Sequence, residues 1–281
     1  MTAPRVVAGD GRLAGLEIAS LRDLNALPGP LCEGLYARLV PAVLLDRVGV
    51  DPRTGANGQG ERLLRVTAPP DQSWARVELR MAHEDRDPLL LVDVEIGPFG
   101  VPELSFVQIA DPRSERFDID YDGEGRDTLF GTVSRNLPEE RRALEAGLAP
   151  GQVRRGLRLL GDVLDAMGAF CHLLGQELFL VEPLFYHSAL LYERRGCGYL
   201  LGQELMDDIH RGFQPGGPLH AALDGSSPFR QPGFDRTVRG RSWAIHDGIL
   251  SALGGATWNG VKMYRQTGRV AGVSTFPLSE Y

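Results

Sequence analysis

The sequence predicts an α+β fold: a central, mostly antiparallel sheet flanked by helices, with a carboxy-terminal extension. Three observations carry this expectation. Strand-length apolar or alternating runs recur between residues 62 and 110 and are joined by short polar connections, the pattern of an antiparallel meander. A helical stripe, a short apolar run, a second helix and another strand-like run follow between residues 152 and 205. Residues 206–281 then turn rich in glycine, proline and arginine, so a core over 1–205 carries an extension packed on it.

Each element has a local reason. LAGLEIAS (13–20) reads as a short strand. Leu31, Leu35, Leu39, Ala42 and Val43 recur at helical spacing over 31–47, and Pro41 should bend or break that helix. DPRTGANGQGE is turn chemistry and predicts an exposed loop. The meander comprises 62–67, then 74–81, where Ala75, Val77, Leu79 and Met81 share one face, then 89–96 and 103–110. Residues 116–121 alternate again and predict a further strand with Asp118 and Asp120 on one face. Asn136 is placed to cap a helix with Pro138 in its first turn, ended by Gly147 and Pro150. Val153, Leu157, Leu160, Leu164, Met167, Cys171 and Leu174 step by three and four, predicting a helix from about Gln152 to Gly175. A strand (ELFLVEP), a helix over 185–195 and a strand (GYLLGQEL) come next. Helices near 217–223 and 240–250 and a strand near 261–266 complete the chain.

Composition narrows the function classes. Of 281 residues, 43% are hydrophobic and 24% charged, which is enough apolar content to bury a core without staples. No window approaches the length of apolar sequence a bilayer span needs, and the amino terminus has no signal-peptide core, so the expectation is a cytoplasmic protein without a membrane partner. The net charge of −7 argues against nucleic acid as a partner, because phosphate binding needs a cationic surplus. Lys262 is the only lysine, which leaves a single candidate for Schiff-base chemistry. Cys32, Cys171 and Cys197 are odd in number and widely spaced, as expected of a reducing compartment.

The segment 150–205 carries a resemblance. It runs P-G-Q-V-R-R-G-L, long helix, short apolar strand, then HSALLYERRGCGYLLG. This is similar to the second half of the GNAT superfamily of acyl-CoA N-acyltransferases, and the helix and meander of 31–110 fit the first half in order. In that family a turn rich in glycine and arginine opens a helix whose amino-terminal amides hold the coenzyme A pyrophosphate. The resemblance places Gln152, Val153, Arg154, Arg155 and Gly156 at that turn, to bind coenzyme A or acetyl-coenzyme A. The family's A-x-x-L-Y-E-x-x-G-F pattern is matched by Ala189, Leu190 or Leu191, Tyr192, Glu193 and Gly196, with Cys197 for the aromatic. It implies Tyr192 as proton donor to the departing thiolate. Glu95 and Glu103, on the meander, are the candidate general bases. The expected function is transfer of an acyl group from a coenzyme A thioester to the amine of a small-molecule substrate. Two departures stand out: Arg158 occupies the place of a small residue in the turn, and an insertion containing a helix separates the last meander strand from it.

Two other readings come from the residues themselves. Arg236, Arg239 and Arg241, with Arg230 nearby, concentrate cationic forks in an acidic chain, and Trp243 and His246 add a stacking surface and a titratable group. They define a candidate anionic-substrate site, which a non-catalytic protein of the same fold could equally use. His187, Glu204 and His210, from a wider cluster of histidines and carboxylates, are the candidate ligands of a metal-dependent enzyme, although no spacing forms a recognised ligand motif.

Overall fold

The computed structural model describes residues 18–277. Helices α1 (Leu21–Asn25), α2 (Gly29–Tyr36) and α3 (Ala42–Val48) lead into strands β1 (Leu64–Thr67), β2 (Trp74–Leu79), β3 (Leu90–Ile96) and β4 (Pro102–Ile109). Then come α4 (Leu137–Glu145), α5 (Leu160–Leu173), β5 (Leu178–Val181), α6 (Tyr186–Glu193) and β6 (Gly198–Leu201). The chain continues through α7 (Gln203–Gly212), α8 (Pro218–Ala221), α9 (Val238–His246) and β7 (Lys262–Gln266). The fold is α+β, a mostly antiparallel sheet flanked by helices. Two compact units divide the chain. One holds the chain up to Pro112, Gly156–Val181 and Arg265–Arg269; the other holds Arg113–Arg155, Glu182–Tyr264 and the chain from Val270. Residues 206–264 thus share a unit with 182–205. Among the described residues, no helix is long and apolar enough to cross a membrane.

In the first unit, the alternation read in the meander becomes a sheet with two unlike faces. Ala75, Val77 and Leu79 of β2 and Leu90, Val92 and Val94 of β3 are buried, while Arg76 and Asp93 lie opposite each other on the solvent face and pair through two hydrogen bonds of 2.7 Å. The strands run antiparallel from β1 to β4, and β5 joins β4 in parallel, followed in the strand order by β7. Phe170 of α5 is fully buried and stacks on Tyr36 of α2 with ring centroids 5.5 Å apart. Removing such a ring from water contributes about 2–3 kcal/mol. Pro41 does break the helix expected over 31–47: a 3-10 turn follows α2, and Pro41 starts α3 afresh.

In the second unit, Phe117, Ile119, Ala143, Leu148, Val153, Phe229 and Trp243 form one buried cluster. β6 and the first residues of β7 pair antiparallel. Asn136 caps α4 by accepting the Glu139 N–H, as its position in the sequence suggests.

Several expectations are corrected. Residues 116–121 form no strand, because Phe117 and Ile119 bury themselves in the cluster and the Phe117 N–H donates to the Val153 carbonyl instead of a ladder. Residues 152–159 are not helical; α5 begins only at Leu160, after Arg158 at φ 62°. The strand read over 198–205 stops at Leu201, where Gly202 at φ 89° opens α7, buried on Met206 and Ile209. The strand expected at 13–20 lies outside the described residues except for 18–20, where Ser20 caps α1.

One polar side chain fastens α1 to the turn entering β2. Asn25, buried, donates from Nδ2 to the carbonyls of Pro69, Gln72 and Trp74 at 3.0–3.1 Å and accepts from the Tyr36 hydroxyl. Replacing it leaves three carbonyls and a phenol without their partner. Asn25→Ala should therefore lower the stability of the first unit by about 2 kcal/mol or more in urea titration, and a loss below about 0.5 kcal/mol would show that water replaces the amide.

Candidate functional site

The site begins with an irregularity in β4. Pairing with β3 runs Val92 to Val107 and Asp93 to Phe106, then Val94 to Leu104, so Ser105 is an extra residue, a bulge. Its hydroxyl turns back to the Asp93 carbonyl at 3.4 Å. On the other side, β4 pairs with β5 only through Glu103 and Leu104. Beyond Leu104 the edge of β4 is not continued by β5, and the bulge sits where that pairing stops. Glu103 is buried there, its carboxylate so close over Gly97 that a side chain at 97 would collide with it. Glu95, its partner in the β3–β4 register, is exposed and lines a groove of about 400 Å³ on the open sheet face with Arg65, Trp74, Arg76 and Asp93. The two candidate bases thus have opposite environments.

The chain returns to the first unit at Gly156, and the position of a Cβ there would be 3.3 Å from the carbonyl oxygen of Ile109, the last residue of β4. The insertion therefore leaves and re-enters beside the end of one strand. Gly156 and Arg158 are exposed, and Arg158 occupies the left-handed region at φ 62°. No side chain caps α5, so its first-turn amides lack a side-chain partner at the positive end of the helix dipole; in that turn Asp162 is exposed and Gly161 is buried.

The other residues expected at the turn have structural partners in the second unit. Gln152 accepts the Ala149 N–H at 2.8 Å, Val153 is buried and holds Phe117, and the Arg154 guanidinium donates to the Ser114 carbonyl. The Arg155 backbone N–H donates to Ser114 Oγ at 3.2 Å, and its side chain is exposed. Tyr192, on α6, is buried, and burial pushes its phenol pKa upward, so the group holds its proton. Cys197 is also buried and donates its N–H to the Tyr192 carbonyl at 3.0 Å.

The arginine-rich segment folds largely inward. Trp243 is fully buried, stacked on Phe229 at 5.1 Å, with its indole N–H donating to the Leu148 carbonyl at 2.8 Å. Arg236 is exposed, and Arg239 packs its guanidinium against Gly147. His246 meets the buried Glu140, Nε2 to Oε1 at 3.2 Å. Around that pair lies a charge network the sequence did not announce. Arg135 donates to Glu140 and to Asp247, each at 2.8 Å, and Asp247 also accepts from Arg230 and Ser227 at 2.8 Å. Burial works to raise the Glu140 pKa, but hydrogen bonds from His246 and Arg135 hold it below the usual carboxylate range. A left-handed turn, Leu129 (φ 48°), Phe130 (φ 57°) and Gly131 (φ 82°), lies on the pair, and a Cβ at Gly131 would come within 2.8 Å of Glu140 Oε1.

His187, Glu204 and His210 do not converge. His187 is buried, its Nδ1 2.9 Å from Ser242 Oγ; Glu204 is exposed; His210 lies beside Arg241. Among the described residues, no three histidine, cysteine or carboxylate side chains are grouped to hold a metal ion.

No family model, curated protein or solved structure matches the chain. Two parts of the site had signals in the sequence: Leu104 and Val107 both oppose buried β3 residues yet are three apart, which marks a bulge, and Arg158 stands where the resembled turn wants a small residue.

Burial pushes the His187 pKa from 6.5 down to about 3. Unfolded, the imidazole takes up a proton below its ordinary value, while folded it stays neutral, so its contribution is complete above pH 6.5 and is lost as acid is added. The loss should be about 1.4 kcal/mol per pH unit below about pH 6. Glu140 and Asp247, both held low, add losses of the same sign in the carboxylate range. Urea titrations between about pH 6.5 and 5 should show His187→Asn with a slope shallower by about one proton than the parent chain; parallel slopes would place a protonated imidazole in the folded state.

Proposed function

We propose that the chain is an acyltransferase of the GNAT type, moving an acyl group from a coenzyme A thioester to an amine. The observation that carries this reading is the junction of β4 with α5. An antiparallel meander ends in a bulged strand whose outer edge is paired at only two positions, and beside its end an exposed, glycine-containing turn opens an uncapped helix. Helix, strand, helix and strand then follow in the family's order.

The residues present suit the group. A pyrophosphate needs uncapped amides and cations: Arg155, Gly156 and Arg158 are exposed, and no side chain caps the first turn of α5. Arg158 brings a fork where the family has a small residue, so here a side chain shares the work of backbone approach. The thioester would lie along β4 beyond Leu104, where an extended chain can use strand-edge groups. When bound, the thioester supplies an activated carbonyl and a thiolate leaving group. Glu103, buried on β4 beside the bulge, would take the proton released as the amine forms its C–N bond. Tyr192 is the donor implied by the resemblance for the sulfur as the C–S bond breaks, and its protonated phenol is the state an acid requires.

Calorimetric titration with coenzyme A and acetyl-coenzyme A tests the reading. Micromolar binding is expected, weakened about tenfold or more in the Arg155→Ala/Arg158→Ala double variant. Binding followed by no acyl transfer in an amine screen would make the chain a non-catalytic binder of the same fold. Absence of binding at millimolar ligand would remove the acyltransferase reading.

A further inference from the structure

Two oppositely charged side chains are buried in the second unit, and consecutive residues of the last described segment cover them. Arg241 is 2% exposed. Its Nε donates to the Asp235 carbonyl at 2.6 Å, and Nη1 lies 3.4 Å from His210 Nδ1. Phe213 and Phe276 lie against the guanidinium, their ring centroids at 4.9 and 3.6 Å. Among the described residues, no carboxylate comes within ion-pair distance of it. A guanidinium has five N–H donors, so this one keeps unused capacity in a place where burying a charge is costly. Beside it lies the Tyr186 hydroxyl, on a residue 1% exposed, where burial pushes the phenol pKa up and the Arg241 cation works against that rise.

Glu193, 6% exposed, is the opposite pole. Its carboxylate accepts the Thr275 N–H at 3.0 Å and the hydroxyls of Thr275 and Tyr199, each at 2.6 Å. Thr275 therefore satisfies the acid, and the next residue, Phe276, covers the base. Thr275 and Phe276 are consecutive, so groups of two adjacent residues meet the two poles. The covering segment, 270–277, contains neither helix nor strand. Its track is kept clear by glycine: a Cβ at Gly196 would come 3.3 Å from Val270, and one at Gly198 would come 2.9 Å from Ala271.

We propose that this is a binding site for an α-amino acid zwitterion, occupied by the chain's own Thr275–Phe276. The ligand's ammonium group takes the place of the Thr275 N–H on Glu193. Its carboxylate takes the unused donors of Arg241 and the Tyr186 hydroxyl, and an aromatic side chain replaces the ring of Phe276. The segment is then a displaceable strap that competes with the ligand. This inference is independent of the acyltransferase reading, and its test contains no coenzyme A.

The probe is L-phenylalanine, titrated into the full chain and into two variants that keep both charged side chains: Phe276→Ala, which removes the ring over Arg241, and Gly198→Ala, which crowds Ala271 and the Tyr264 ring. Trp258, whose ring meets Tyr186 edge-on at 6.0 Å, provides a fluorescence signal. Both variants are expected to bind L-phenylalanine about tenfold tighter than the parent chain. Phenethylamine, which lacks the carboxylate, and 3-phenylpropanoate, which lacks the ammonium group, should each bind at least about tenfold more weakly than the amino acid. In the parent chain, saturating L-phenylalanine should speed exchange of the Thr275 amide. Tyr186→Phe, which keeps the buried ring, should weaken the amino acid and 3-phenylpropanoate but not phenethylamine. Equal affinity in parent and strap variants, or affinity unchanged by loss of either charged group, would overturn the proposal.

Discussion

The bulge at Ser105 is the constraint on which the candidate site depends, because one extra residue in β4 changes what both of its edges can do. Toward β3 it shifts the register so that Leu104 and Val107 both face the core, which keeps the strand anchored. Toward β5 it coincides with the end of pairing, after Glu103 and Leu104. The same few residues thereby bury one carboxylate, set the end of a strand edge and fix where Ile109 delivers the chain. Gly156 returns against that carbonyl, so the uncapped helix α5 opens at the place β4 vacates. β5 ends at Val181, the residue paired with Leu104, so the rest of β4 has no strand on that side and leaves an edge for a ligand to follow.

In the second unit the organising interactions are buried charges rather than strand edges. Glu140, His246, Arg135, Asp247 and Arg230 satisfy one another in a network that ties α4 to α9 and the loops around them. Buried ions so arranged hold a specific arrangement in place and contribute less to stability than their number suggests. Arg241 and Glu193 differ in kind. Each is buried, neither is neutralised by the other, and the chain's last described segment supplies a partner to each, Thr275 to Glu193 and Phe276 to Arg241. The contrast separates a structural network from a recognition site, and it explains why arginines that look alike in sequence have unlike roles. Arg230 is an ion-pair partner, Arg236 is exposed, and Arg241 is a buried cation with donors to spare.

The sheet was legible because its alternation is two-faced. Ala75, Val77 and Leu79 inside and Arg76 outside leave little choice for β2, and the apolar stripe from Leu160 to Cys171 likewise sets α5. The failures have a common cause. Phe117 and Ile119 alternate because both bury into a cluster, and alternation cannot say whether the partner is a strand or a set of side chains. Val153 and Leu157 continue the helical spacing of α5, but a backbone bond from Phe117 and the left-handed Arg158 keep the helix from starting there. Tyr186, Glu193 and Arg241 are covered in part by residues far away in sequence, Trp258, Thr275 and Phe276, so their burial was invisible. Helix α7 was missed because the apolar residues at the end of β6 continue into it without a marked break other than Gly202.

Amide hydrogen exchange with and without coenzyme A tests the central claim most directly, since it reads the bulged edge and the helix opening in one experiment. Coenzyme A should protect the first-turn amides of α5, Leu160 to Asp162, together with those of β4 between Ser105 and Ile109. Protection confined to other segments, or none at saturating ligand, would contradict it.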